Sequence, residues 1–282
     1  MKMTVLLENN IDRESPRKDD LRSAHGLSLY FEWKGKKILF DTGPDSSFSR
    51  NAALLGVDIS QVNMVVISHG HCDHSGGLEE FFRLNSTAPV YMHKKALIPH
   101  YSQRAEGQYI PIGIDTEITK RFKNRLVLID GTCEITEGLK IYMNIPEVFP
   151  RPSTNSNLYQ MEHQELVPDD FGHEIVMSLE EGNGSHIVTG CSHSGVLNMV
   201  NLVRDTGKVN NILSVLGGFH ISSPGRNKTV SDEYLNHLIK GLKNLDTEIY
   251  TGHCTGDENY QKIAEKLGDR IHSMNTGLVR EL

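Results

Sequence analysis

An α/β fold is what this sequence predicts, on three observations. Short apolar stretches alternate with amphipathic ones along most of the chain, glycine-containing turns separate them, and histidine-rich motifs follow the apolar stretches. The stretch "GLSLYFEWKGKKILFDTG" reads as a hairpin turning at Lys34-Gly35, with its second strand ending at Asp41. Phe48, Ala52 and Leu55 then recur at helical spacing before a stop at Gly56, and "MVVIS" is a short buried strand. Ser75 is placed to cap a helix over "SGGLEEFFRL", and "APVYMH" reads as the next strand. Residues 94–130 show no sustained period and are expected to be an insertion with some helix. Beyond them "LKIYMNI", "HEIVMSLEEGNGSHIVTG", "NILSVLGGFH" and "TEIYTGHC" read as strands, with "GVLNMVNLVRDTG" and "VSDEYLNHLIKGLKNL" as amphipathic helices. With no repeat or low-complexity linker, residues 1–282 are expected to form one domain.

Composition narrows the partners. The 282 residues suffice for a substantial core, and a net charge of −7 from 36 acidic and 29 basic residues leaves no basic stripe for nucleic acid. No apolar run approaches the roughly 18 residues of a membrane helix, and the start "MKMTVLLENN" has too short an apolar core for a signal peptide. The expectation is a soluble, cytoplasmic protein acting on a small molecule, without membrane or nucleic-acid partners. Cys72, Cys133, Cys191 and Cys254 form no C-x-x-C pair, which argues against a disulfide framework or a zinc ribbon.

The strongest chemical signal is "VVISHGHCDHSGGL", residues 65–78. Residues two apart in extended chain point the same way, so His69 and His71 can chelate one ion. Asp73 and His74 follow as the backbone turns, so they aim at a neighbouring position. Two ions about 3.5 to 4 Å apart are the arrangement of two-metal hydrolytic sites. Imidazole and carboxylate donors suit zinc, iron, manganese or cobalt rather than calcium. An idle, solvated polar cluster is the bland alternative, and four ligand-type residues within six positions argue against it. Further ligands are expected at other strand ends, where "TGCSHSG" carries Cys191 and His193, "GGFH" carries His220, and "TGHCTG" carries His253 and Cys254. Each is flanked by glycine, which lets the backbone turn sharply. Taken singly, any of these histidines is as readily a structural residue.

These motifs together resemble the metallo-β-lactamase superfamily over nearly the whole chain. "HGLSLYFE", "GCSHSG", "GGFH" and "GHCTG" resemble more narrowly its branch named for the archaeal 7,8-dihydropterin-6-yl-methyl-4-(β-D-ribofuranosyl)aminobenzene 5′-phosphate synthase. The resemblance implies a four-layer αββα sandwich of two mixed sheets, with helices outside and metal at one edge. It also implies that Asp41 supports the metal loop without binding an ion, a role open to any strand-end aspartate that accepts bonds from loop N–H groups or an imidazole. Hydrolases of the superfamily usually carry a further histidine ahead of the strand pair that ends in a bridging aspartate. Here Cys191 stands near the aspartate's place, and His173 lacks the usual glycine and proline context, so His193 ranks above it. The resulting assignment is His69, His71 and His193 for one ion and Asp73, His74 and His253 for the other, most readily zinc, with iron or manganese as alternatives.

Three functions fit this pattern. A di-metal hydrolase would act on a phosphorylated or ester-like small molecule, with Asp73 orienting water and accepting its proton and His220 or His193 stabilising the leaving oxygen. A dihydropterin-transferring synthase would displace diphosphate from a dihydropterin-methyl diphosphate with an arylamine nucleophile. A degenerate member would keep a structural metal, which the open H-x-H-x-D-H motif argues against. Lys94, Lys95, Arg104, Arg121 and Arg151 are candidates for phosphate contacts but are more simply solvated surface. The proline-stiffened loop "FPRPSTNSN" either covers the pocket or is ordinary surface, and Trp33 and Tyr30 are expected to pack. Without a bridging carboxylate the second site should be weakened, unless Cys191 ligates as thiolate, so one ion should bind more tightly than the other. Metal counting during chelator dialysis is expected to show one ion leaving first, and equal retention of two ions would contradict this.

Overall fold

The computed structural model describes residues 1–223 and 228–282. The chain divides into two compact units, the first comprising Met1–Asp130, Leu158–His173 and Asn275–Leu282, the second Gly131–Asn157 and Glu174–Met274.

In the first unit a mixed sheet runs in the order Val279–Glu281, Lys2–Leu7, Ser28–Trp33, Lys36–Phe40, Met64–Val66, Val90–His93, Leu126–Ile129. Pairing is antiparallel as far as Lys36–Phe40 and parallel from there on. The hairpin turns at Lys34 (φ 46°) and Gly35 (φ 73°), the two positive φ values that match the twist of its strands. Trp33 and Tyr30 are buried, as expected of packing residues. The helices Ser47–Leu54 and Leu78–Leu84 supply Phe48, Ala52, Leu78, Phe81 and Phe82 to a core that also contains Leu39, Val65, Val90 and Met92. Parallel pairing sets Phe40 opposite Val66, so Asp41 and the Ser68-His69 loop leave the sheet side by side. The Asp41 N–H donates to the Val66 carbonyl at 2.9 Å, continuing the ladder by one residue.

The second unit has the sheet order Ile271–Ser273, Glu248–Thr251, Ile212–Leu216, Gly184–Val188, Val176–Glu181, Leu139–Tyr142, Cys133–Thr136. Gly184–Val188, Ile212–Leu216 and Glu248–Thr251 run parallel to one another, as does Ile271–Ser273 beside them, and the first three carry the site motifs at their ends. Their carboxyl ends lead into the motifs of Cys191, His220 and His253, where open α/β sheets place ligands. The helices Val196–Gly207, Asp232–Lys243 and Asp257–Leu267 pack Val200, Leu238 and Ile263 into the core, and the Ser231 hydroxyl caps the second of them at the Tyr234 N–H.

The α/β class and the mixed sheets expected from the sequence are present in both units. Ser75 is a correction. It ends the short helix Cys72–Ser75, and its hydroxyl donates back to the His71 carbonyl at 2.9 Å, while Gly77 precedes the longer helix. The segment 94–130 holds more strand than expected. Thr116–Arg121 is its α-helix, but Leu126–Ile129 joins the sheet edge. His100–Ala105 and Gln108–Pro111 pair in a four-stranded antiparallel sheet with Leu158–Glu162 and Glu165–Pro168. Edge strands such as Leu126–Ile129, with Leu128 47% exposed, have no buried face to impose an alternating pattern. No helix among the described residues is long and apolar enough to cross a membrane.

The loop after His74 is tight against the strand-end segment of Pro44. A Cβ at Gly76 would lie 2.1 Å from the Pro44 carbonyl oxygen and 2.8 Å from that of Cys72. Gly76→Ala is therefore expected to destabilise the protein by about 1–3 kcal/mol, the usual cost of overpacking. A urea midpoint unchanged from the parent would show that the loop yields without cost.

Candidate metal centre

In the first unit the ligand atoms of His69, His71 and Asp73 all lie within 4.8 Å of one another. His69 and His71 are buried, while the Asp73 side chain keeps 21% of its surface. The rings of His69 and His74 are 4.2 Å apart, and those of His69 and His71 are 4.6 Å apart. All four motif residues therefore gather on one bend.

The hydrogen bonds around Asp41 decide which nitrogen each histidine presents. Oδ1 of this buried aspartate accepts the Ser68 N–H at 2.7 Å, and Oδ2 accepts the Ser68 hydroxyl at 2.7 Å. Oδ2 also accepts from His74 Nδ1 at 2.6 Å, which makes Nδ1 the protonated nitrogen and leaves the lone pair on Nε2. Because the Ser68 hydroxyl proton is spent on Asp41, its oxygen accepts from His69 Nδ1 at 2.8 Å, so His69 also carries its lone pair on Nε2. Burial holds the pKa of His69 well below the ordinary imidazole value, and burial lowers that of His71 as well. Neutral imidazole is the form that ligates a metal. The donor set therefore fits a divalent cation. Asp41 sits at φ 58°, a left-handed conformation that aspartate tolerates better than most residues. Asp73 Oδ2 lies 3.8 Å from His74 Nε2 and 3.6 Å from Nε2 of the exposed His25, the first residue of the "HGLSLYFE" stretch.

A second buried group stands behind the loop. His71, His100, Asp169 and His173 bring one ligand atom each within 4.8 Å of one another. Hydrogen bonds account for much of this group without an ion. The Gly70 N–H donates to His173 Nδ1 at 2.9 Å, so His173 Nε2 carries the proton and donates to Asp169 Oδ2 at 3.2 Å. Both nitrogens of His173 are thus committed. His100 Nδ1 donates to the same oxygen at 3.0 Å, and His71 Nε2 is 3.9 Å away. Burial alone would raise the Asp169 pKa, but the imidazoles of His173, His100 and His71 outweigh it and hold the carboxyl well below its usual range. Burial pushes His173 down to about 4. His173, ranked below His193 in the sequence, accepts from the loop at Gly70. His100 and Asp169 carry no motif and were missed.

In the second unit, the rings of His193 and His220 lie with centroids 4.0 Å apart, tilted by 51° to each other. Asn155 Nδ2 donates to the His193 carbonyl at 2.8 Å, which fixes the amide's orientation and makes its Oδ1 the acceptor of His193 Nδ1 at 3.0 Å. The lone pair of His193 is then on Nε2. Glu174 holds the same loop through the N–H groups of His193 and Ser194, each at 2.7 Å. The Thr154 hydroxyl donates to the His220 carbonyl. The loop "FPRPSTNSN" therefore orients site histidines through Thr154 and Asn155, which its polar, proline-rich composition did not reveal. His253 is buried at φ 52° in a short turn, beside the buried Cys254. Burial would raise the Cys254 thiol, but its hydrogen bond with Cys191 and the nearby His253 and His220 hold it well below its ordinary value. Among the basic residues, Lys94 pairs with Asp130, Arg121 with Glu79, and Arg151 with Glu147, as solvated surface does.

Asp41→Asn replaces one acceptor oxygen by a donor facing Ser68 or His74. It is expected to weaken metal binding about 10- to 100-fold, the range seen when partners of ligating histidines are removed. Competition with a chromophoric chelator measures this, and an unchanged affinity would show that Asp41 does not set the histidine tautomers.

Residues 25–194 match the family described as the metallo-beta-lactamase superfamily. The chain is 28% identical to a 7,8-dihydropterin-6-methyl-4-(beta-D-ribofuranosyl)-aminobenzene-5'-phosphate synthase of Methanocaldococcus jannaschii, over 99% of this chain and 96% of that protein. An uncharacterized protein of the same organism is 31% identical over 86% of this chain and 88% of its own length. Among solved structures, a metal-dependent hydrolase of the beta-lactamase superfamily matches with a TM-score of 0.81 at 26% identity, covering 100% of this chain and 99% of that one. With the H-x-H-x-D-H bend built as described, the family match settles the chain's place: it belongs to the metallo-beta-lactamase superfamily.

Proposed function

We propose that this enzyme is a hydrolase-type metal enzyme acting on a phosphorylated or ester-like small molecule. Its ions are assigned to His69, His71, Asp73 and His74, with His193 and His253 as the further ligands that the strand-end motifs point to. The observation that carries this reading is the pair of hydrogen bonds that leaves His69 and His74 with lone pairs on Nε2, beside the carboxylate of Asp73. A divalent ion bound there would lower the pKa of a water and polarise a phosphoryl or acyl oxygen. Nitrogen-rich donors favour zinc, with iron or manganese also suited. Asp73, partly exposed, orients the attacking group and accepts its proton. His220 donates to the leaving oxygen.

A second reading is a synthase joining a dihydropterin-methyl group to a ribofuranosylaminobenzene phosphate. The near full-length similarity to the methanogen synthase favours it. Both readings use the same residues, so one experiment addresses them together. Zinc-loaded protein is offered a panel of phosphate mono- and diesters, and separately a dihydropterin-methyl diphosphate with the arylamine phosphate. Released phosphate marks hydrolysis and the coupled product marks transfer. Asp73→Ala is expected to lower the productive reaction about 10²- to 10⁴-fold. Turnover that survives both this change and His69→Ala would overturn the assignment of the site.

A further inference from the structure

We infer that Cys191, His220 and Cys254 form a sulfur-bearing site for a thiophilic divalent cation such as zinc, additional to the ions assigned to the histidine motif. One ligand atom from each of the three lies within 4.8 Å of the others. All three follow neighbouring parallel strands of the second unit, Gly184–Val188, Ile212–Leu216 and Glu248–Thr251, so the sheet itself holds them together. Two thiolates and an imidazole are a soft donor set, and three protein ligands leave a fourth position open.

Local geometry supports ligation over mere packing. Nδ1 of His220 is buried with no hydrogen-bond partner among the described residues. A protonated Nδ1 would be a buried unsatisfied donor, so the less costly tautomer carries the proton on Nε2 and the lone pair on Nδ1. The His220 N–H donates to Cys254 Sγ at 3.2 Å, which ties this sulfur to the turn that carries His220. A Cβ at Gly218 would lie 2.5 Å from the same sulfur, so glycine there keeps the space that the sulfur occupies. His220 at φ 46° and His253 at φ 52° hold left-handed backbone that bulky residues avoid, and such strain gathers at ligand sites. Zinc–sulfur bonds of about 2.3 Å would set tetrahedrally placed sulfurs about 3.8 Å apart, a spacing inside the 4.8 Å within which these ligand atoms lie.

Cobalt(II) titration of the full-length, metal-stripped protein tests the site, because thiolate ligation produces a near-ultraviolet charge-transfer band that histidine and carboxylate ligands do not. The band is expected in the parent and, undiminished, in His71→Ala, which separates this site from the histidine-motif ions and from the proposed activity. Cys254→Ser should lower it by about half, and the Cys191→Ser, Cys254→Ser pair should abolish it. A folded Cys254→Ser protein with the full band would overturn the inference, leaving Cys191 as a ligand elsewhere. Should Cys254→Ser lose its far-ultraviolet circular dichroism, His220→Ala decides. A fall of about tenfold or more in the cobalt affinity of the band supports the site, and an unchanged affinity rejects it.

Discussion

The carboxylate of Asp41 is the interaction on which the histidine bend depends. It is fully buried, and it accepts from the backbone and hydroxyl of Ser68 and from the ring of His74. A buried carboxylate is costly unless it is well hydrogen-bonded, and here the compensating donors belong to the metal loop itself. Satisfying the aspartate and orienting the ligands are therefore one event. The His69 ring is oriented at one remove, through the Ser68 hydroxyl whose proton Asp41 has claimed.

The second unit solves the same problem with different residues. Glu174 accepts from the two consecutive N–H groups of His193 and Ser194, and Asn155 grips His193 at both its carbonyl and its ring. In each case a side chain takes the place that a sheet ladder can no longer fill once the chain has left the strand. Asp169 does this on a larger scale in the first unit, tying His100 and His173 together while His173 in turn receives the Gly70 N–H. Loops that would otherwise be mobile are held on rigid strand ends, which is what metal ligation and catalysis both demand.

Burial also sets the protonation of the donors. Low polarity lowers the pKa values of His69 and His71 and so favours their neutral form, the form in which imidazole can ligate a cation. Asp73 is the exception in keeping solvent access, and its position at the edge of the cluster suits a group that must exchange protons with a substrate or water.

Much of this was legible in the sequence, for physical reasons that differ by element. The helices Val196–Gly207 and Asp232–Lys243 bury one face, and a buried face writes its period into the sequence, while the strand before His69 is buried throughout and reads as an apolar run. The H-x-H-x-D-H bend was readable because its ligands are local, within one turn of chain. Asp41 was readable as a strand-end residue, but not the two tautomers it imposes. Edge strands such as Leu126–Ile129, and the braces His100, Asp169, Glu174 and Asn155, left no pattern. Their partners lie far along the chain, as with His100 and Asp169, 69 residues apart, and a contact of that kind exists only once strand pairing has brought the two segments together. Sequence alone determined which residue types line the strand ends, because periodicity and motif spacing are local properties. Tertiary structure alone decided which nitrogen each histidine presents, because a tautomer is set by the hydrogen-bond partner that folding supplies.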